Sequence, residues 1–193
     1  FGSGGHSRKI LGQLSAGRLI AFDQDRDADR NLIADDRFLF IHQNYRYIKN
    51  FLIFQGINHI DGLLADLGIS SWQIDQPGRG FSTRHDGPLD MRMNQGHGIT
   101  AEHIINTYTE IQLISIFRQY GEIENARKLS EEIHKDRALQ HITSTESLKQ
   151  VILRVAPHGK ENQYLARVFQ ALRIEVNEEL ESLKELLVHA NDL

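Results

Sequence analysis

Cysteine is absent from the 193-residue sequence, which excludes disulfide scaffolds, thiol nucleophiles and cysteine-ligated zinc or iron–sulfur centres. No run approaches the roughly 18 apolar residues of a membrane span. The opening Phe1-Gly2-Ser3-Gly4-Gly5-His6-Ser7 has no initiator methionine and no charged-then-apolar leader, so neither a span nor a signal peptide is expected. Internal repeats and low-complexity tracts are missing. The histidines are scattered, and His97 and His103 lack the spacing of helical ligands, so no metal is expected.

A strong charge of either sign is also missing. The formal net charge is -4, and acid is concentrated late, in Glu175, Glu178, Glu179, Glu181, Glu185 and Asp192 against the base Lys184. The preceding body is close to neutral and can hold a local basic cleft, so bulk charge does not exclude a nucleic-acid partner.

What is present is ordinary globular material, 40% hydrophobic with 15 glycines. The length is about 1.3 times that of a roughly 150-residue domain, which suggests one domain with a sizeable insertion. A chain of this size buries roughly 70% of its unfolded surface and needs no covalent staple.

A helical pattern over Ser7–Leu14 leads to the apolar run Leu19–Phe22, which ends in Asp23. A second run, Phe38–Ile41, ends near Tyr45, and a helix is expected over Ile48–Phe54. A third run, Ile60–Leu67, is read as a strand carrying Asp66 at its C-terminal end. Short apolar strands separated by helical stretches argue for a mostly parallel α/β sheet.

Gly68–Gly98 is glycine-rich, holds two of the 3 prolines and spreads Arg79, Arg84 and Arg92 along its length. A loop this long is usually functional or disordered. Helices follow. Thr109 and Gln112 form a capping box, with Gly121 as the C-cap; Ile123, Ala126, Leu129 and Ile133 mark the next helix; Thr143 and Glu146 cap another, which Pro157 stops. Leu165, Val168, Leu172, Val176, Leu180, Leu183 and Leu187 form one stripe along a long last helix.

Gly2, Gly4 and Gly5 fit a strand-to-helix loop that lets a ligand approach the backbone, and Asp23 lies where a carboxylate accepts both hydroxyls of a ribose. Ser7 occupies the third glycine position of a dinucleotide fingerprint, which favours S-adenosylmethionine over NAD. Asp66 is either a ligand-facing carboxylate or a loop cap, and the three loop arginines are either phosphate contacts or a solvated face.

Five segments then carry a resemblance: Phe1-Gly2-Ser3-Gly4-Gly5-His6-Ser7, Asp66-Leu67-Gly68-Ile69-Ser70-Ser71, Arg79-Gly80-Phe81-Ser82, Asp86-Gly87-Pro88-Leu89-Asp90-Met91-Arg92-Met93 and Phe169-Gln170-Ala171-Leu172-Arg173-Ile174. Together they are similar to the RsmH (MraW) family, cytoplasmic methyltransferases acting on the N4 atom of a cytidine in small-subunit (16S) ribosomal RNA.

The resemblance implies a Rossmann-like α/β methyltransferase sheet with a helical insertion. Residues 1–75 and 160–193 would form the core, 76–98 a substrate loop and 99–159 an RNA-recognition subdomain. S-adenosylmethionine would be held by Gly4, Gly5, His6, Asp23, Tyr45, Asp66 and Gln73, with Tyr45 standing where the family has phenylalanine. Asp66, Ser70 or Ser71 would lie nearest the reacting amine. Arg79, Phe81, Arg84 and Arg92, on a flexible loop over Gln76–Gln95, would clamp RNA. Ser3 and Asn94 replace a family arginine and aspartate.

Family members carry a strand before this glycine loop and further strands after the last helix. The expectation is a fragment lacking its first strand and C-terminal strands, and inactive alone. Two rival readings are an NAD-dependent oxidoreductase and a non-catalytic RNA-binding or ribosome-assembly factor.

Overall fold

Apolar residues make the two short strands: Leu19–Phe22 (β1) and Phe38–Ile41 (β2) pair in parallel, with Leu19 opposite Phe38 and Phe22 opposite Ile41. The amide of Asp23 extends the ladder to the Ile41 carbonyl at 3.3 Å. Before them runs α1 (Gly5–Gln13), and after them α2 (Ile48–Phe54), both at the expected places. A 3-10 turn over Arg26–Asn31 lies between the strands.

The computed structural model describes residues 1–193, which divide into two compact units: Phe1–Ser70 with Glu179–Leu193, and Ser71–Glu178. In the first unit, Ile48, Leu52 and Leu186 form a buried cluster against Ile20, Phe22, Tyr45, Ile57, Ile60 and Leu193. Leu186 comes from α9 (Glu179–Ala190), so the end of the chain completes this core. Arg46 grips Glu185 through Nη2 and Nε at 2.6 and 3.2 Å, and Lys49 meets Asp192 at 2.6 Å.

The expected third strand is not formed. Residues 60–67 are irregular, and 61–68 are exposed. An apolar run becomes a strand only when a neighbour satisfies its backbone N–H and C=O groups, and no strand pairs with this one; β1 and β2 make the whole sheet.

The second unit is helical: α3 (Ser71–Asp75), α4 (Ala101–Thr107), α5 (Glu110–Gly121), α6 (Ala126–Leu139), α7 (Thr145–Leu153) and α8 (Glu161–Val176). Its core includes Ile104, Leu113, Phe117, Leu129, Ile133, Leu148, Ile152, Val168 and Leu172. Thr109 and Gln112 make the expected capping box on α5.

Three local expectations are corrected. Gly121 does not cap α5: Glu122 takes the left-handed position at φ 52. Gly121 instead lets two helices meet, because a Cβ there would lie 2.9 Å from the Arg167 carbonyl of α8. The α7 box uses Ser144 and Ser147 rather than Thr143 and Glu146. Finally, the long last helix is two. Glu178 at φ 48 breaks it between α8 and α9, and Leu180 and Leu187 are 40% and 63% exposed. The apolar residues keep helical spacing in the sequence whether one helix or two carry them, so spacing alone does not reveal the break.

Helix α8, expected with the methyltransferase core, packs against α4, α5 and α7 within the second unit.

Candidate functional site

In the first unit the glycine loop is built by backbone that side chains resist. Gly2 and Gly4 stand at φ 56 and 74, which costs an ordinary L residue about 1–2 kcal/mol. The Gly4 amide returns to the Phe1 carbonyl at 3.0 Å, and Arg8 donates its backbone N–H to the Gly4 carbonyl at 2.9 Å, starting α1.

Asp23, at the end of β1, closes this loop. One carboxylate oxygen accepts the Gly2 amide at 2.8 Å and the other accepts the Asp25 amide at 2.9 Å. The side chain keeps 19% exposure, so lone pairs remain for a ligand. Two residues outside the motif hold the loop's carbonyls: Asn31 donates to Gly2 at 3.1 Å, and Arg8 to Ser3 at 2.7 Å and to the Asn31 carbonyl at 3.0 Å. Nothing in the sequence pattern marks Asn31, because its partner lies across β1 and the turn that follows.

This donor set fits a nucleoside. A carboxylate at a strand end accepts ribose hydroxyls, and a Cβ placed on Gly5 would meet nothing within 4 Å, leaving open space beside the first turn of α1.

His6 and Asp66 come together, Nδ1 to Oδ2 at 3.4 Å, with side chains 63% and 73% exposed. Asp66 therefore sits on an exposed irregular segment and not at a strand end. Tyr45 lies against the α2–α9 core, and its hydroxyl donates to the Glu179 carbonyl at 3.4 Å. Burial, then the Glu179 charge, pushes its hydroxyl above the ordinary tyrosine value. The hydroxyl that distinguishes Tyr45 from phenylalanine thus has a protein partner, and the ring is half-buried. Ser70 ends this stretch of the first unit; Ser71 and the buried Gln73 belong to α3 in the second.

In the second unit the segment expected to be an arginine-bearing clamp turns Arg79 and Phe81 inward. Arg79 is 5% exposed, and its guanidinium donates to the carbonyls of Arg92 at 2.9 Å and Met93 at 3.0 Å. It also lies 5.7 Å over the ring of Phe81, itself 7% exposed. Arg79 and Phe81 are therefore corrected from nucleic-acid contacts to internal supports, since a buried guanidinium committed to two carbonyls cannot also reach a phosphate. Arg84 is exposed. Arg92 forms a two-point ion pair with Asp90, Nε to Oδ1 at 2.7 Å and Nη2 to Oδ2 at 3.0 Å. Burial works to raise the Asp90 carboxyl, but the Arg92 hydrogen bonds and charge outweigh it and hold it below its ordinary value.

The Asp86–Met93 string binds helix starts. Asp86 Oδ1 accepts the Glu146 amide of α7 at 3.0 Å, and the Leu89 and Asp90 carbonyls accept the Glu102 and Ala101 amides of α4 at 2.7 and 2.9 Å. Two glycines permit the close approach: a Cβ on Gly80 would lie 2.2 Å from the Pro88 carbonyl oxygen, and one on Gly87 2.0 Å from that of Pro77.

The MraW methylase family matches this chain over residues 1–193. The chain is 50% identical over 188 residues to a protein of Flavobacterium psychrophilum named ribosomal RNA small subunit methyltransferase H, covering 97% of this chain and 65% of that relative. Proteins of the same name from Bacteroides fragilis and Cytophaga hutchinsonii are 50% identical over 193 residues and 54% over 189, covering 64% and 63% of their lengths. The chain thus spans somewhat less than two thirds of these relatives.

Proposed function

The chain belongs to the MraW methylase family, and from that premise we propose that it is part of an S-adenosylmethionine-dependent methyltransferase acting on small-subunit ribosomal RNA. We propose the N4 amine of a cytidine as the acceptor. The observation that carries the reading is the closed pair of glycine loop and strand-end carboxylate, Gly2 to Asp23 at 2.8 Å, in a chain matched by a methylase family from end to end.

Asp23 would hold the ribose of the donor, while Gly4, Gly5 and His6 would line the amino-acid side of the loop at the start of α1. Tyr45 would bound the adenine with its ring. Bound there, the sulfonium supplies an electrophilic methyl group. The chain's own part is to orient: the lone pair of a cytosine N4 is delocalised into its ring, so the nitrogen must be held in line with the S–CH3 bond, and such alignment is worth several kcal/mol. The proton that leaves N4 needs an acceptor, and Asp66, with Ser70 and Ser71 after it in the chain, is the proposed group. Arg84 and Arg92 would meet RNA phosphates, and the target base would leave its stack to reach the donor.

The deciding experiment is transfer of a labelled methyl group from S-adenosylmethionine to small ribosomal subunits by the protein that carries this chain, with mapping of the modified nucleotide. Label on a cytosine N4 supports the reading. RNA retention without label, or stabilisation by NAD but not by S-adenosylhomocysteine, overturns it.

A further inference from the structure

Met91 is a long side chain at φ 58, fully buried. Such backbone persists only where its surroundings over-determine it. Here every N–H and C=O from Met91 to Met93 has a partner. The Met91 amide donates to the Arg79 carbonyl at 3.0 Å, and the Arg92 amide to Asp90 Oδ1 at 3.1 Å. The remaining groups are met by two side chains. Arg79 Nη2 reaches the Arg92 and Met93 carbonyls at 2.9 and 3.0 Å. Asn177 donates Nδ2 to the Met91 carbonyl at 2.8 Å and accepts the Met93 amide on Oδ1 at 2.7 Å.

Asn177 thus pairs with alternate residues, Met91 and Met93, as a neighbouring strand would, using one side chain in place of a backbone. Its Nδ2 also reaches the Arg173 carbonyl at 2.8 Å, anchoring it to the last turn of α8. The residue left between these clamps is Arg92. Its Nε and Nη2 are taken by Asp90, its Nη1 has no protein partner, and its side chain is 22% exposed. A guanidinium locked along one edge is a directional donor whose ordering is complete before a ligand arrives.

We propose that Asn177 and Arg79 are positioning residues for RNA recognition: they hold the strained Met91 turn so that Arg92 offers its Nη1 edge to a phosphodiester group. This rests on the RNA-directed reading above and adds to it the two groups that shape the contact.

The test is a double-mutant cycle in the protein that carries this chain, read by affinity for a small-subunit rRNA fragment, RNA KM and kcat, and affinity for S-adenosylhomocysteine. Arg92→Ala and Asn177→Asp should each weaken RNA binding about tenfold, with the double variant no weaker than either single, because the second change acts only through the first residue. RNA KM should rise while kcat and S-adenosylhomocysteine affinity hold, a split that general loss of folded protein does not produce. A double variant weakened about a hundredfold, the additive result, overturns the positioning role alone. An Arg92→Ala variant with unchanged RNA binding overturns the RNA reading of this loop as well. If Asn177→Asp does not fold, Arg79→Lys, which keeps charge but lacks the planar fork, closes the same cycle with the same criteria.

Discussion

Asp23 accepts the backbone amide of Gly2 at 2.8 Å, so the residue proposed to grip the donor's ribose also sets the shape of the loop beside it. Its second oxygen is committed to the Asp25 amide at 2.9 Å. An asparagine can present only one acceptor where the carboxylate presents two. Asp23→Asn should therefore lower stability by about 1–3 kcal/mol through one unsatisfied amide and weaken S-adenosylhomocysteine binding at least tenfold. Calorimetric titration and denaturant unfolding measure the two effects. Unchanged binding in a folded variant would remove Asp23 from the donor site.

Glycine positions should divide sharply by what a Cβ would meet. Gly80→Ala places a Cβ 2.2 Å from the Pro88 carbonyl oxygen at φ 73, and a loss of about 3 kcal/mol or more is expected. Gly12→Ala, within α1 and with nothing within 4 Å, should instead stabilise by about 1 kcal/mol through helix propensity. Urea unfolding of both variants checks the contrast.

The α7 cap gives a test of register. Ser144 accepts the Ser147 amide at 3.2 Å, whereas the Thr143 side chain is exposed. Ser144→Ala should cost about 1 kcal/mol and Thr143→Ala close to nothing. Equal losses would contradict the observed cap.

Two tyrosines predict behaviour in alkali. Burial raises Tyr108 to about 12, helped by its hydrogen bond to Glu175 at 2.8 Å. Burial also raises Tyr164 to about 12, against the opposing effect of its bond to Asn125. Both are lifted above the ordinary value of 10.0, so the folded state favours the protonated phenol. The stability this supplies is present in full below pH 10.0 and is lost as pH rises through about 12. Ultraviolet phenolate titration should show these two groups ionising late or with unfolding, and Tyr108→Phe and Tyr164→Phe should each narrow the alkaline loss.

Arginines of one loop should separate by burial. Arg84→Ala is expected to leave stability unchanged and to flatten the salt dependence of RNA binding by about one unit of slope. Arg79→Ala removes a guanidinium from two carbonyls, leaves them unsatisfied, and should lower the unfolding midpoint. An Arg84→Ala variant with the parent's salt slope would reject its phosphate contact.

Local order was legible from residue pattern alone. The strands Leu19–Phe22 and Phe38–Ile41, the helix Ile48–Phe54 and the Thr109–Gln112 box are set by neighbours a few positions apart, which a linear reading can see. The glycine loop and Asp23 were visible for the same reason. Ile60–Leu67 was not, because an apolar run reads as a strand whether or not a partner exists to take its hydrogen bonds.

The residues of the chain by themselves determined its membership of a methylase family and the placing of glycine wherever another residue's Cβ would collide, as at Gly80 and Gly87. Only the tertiary structure decided which polar side chains face inward. The sequence marked Arg79 only as an RNA contact and did not mark Asn177 at all, yet between them they complete the hydrogen bonding of the Met91, Arg92 and Met93 backbone. The reason is physical: a hydrogen bond made across a sequence separation of 84, as from Met93 to Asn177, depends on where two distant segments are brought by packing, and no local spacing encodes that meeting.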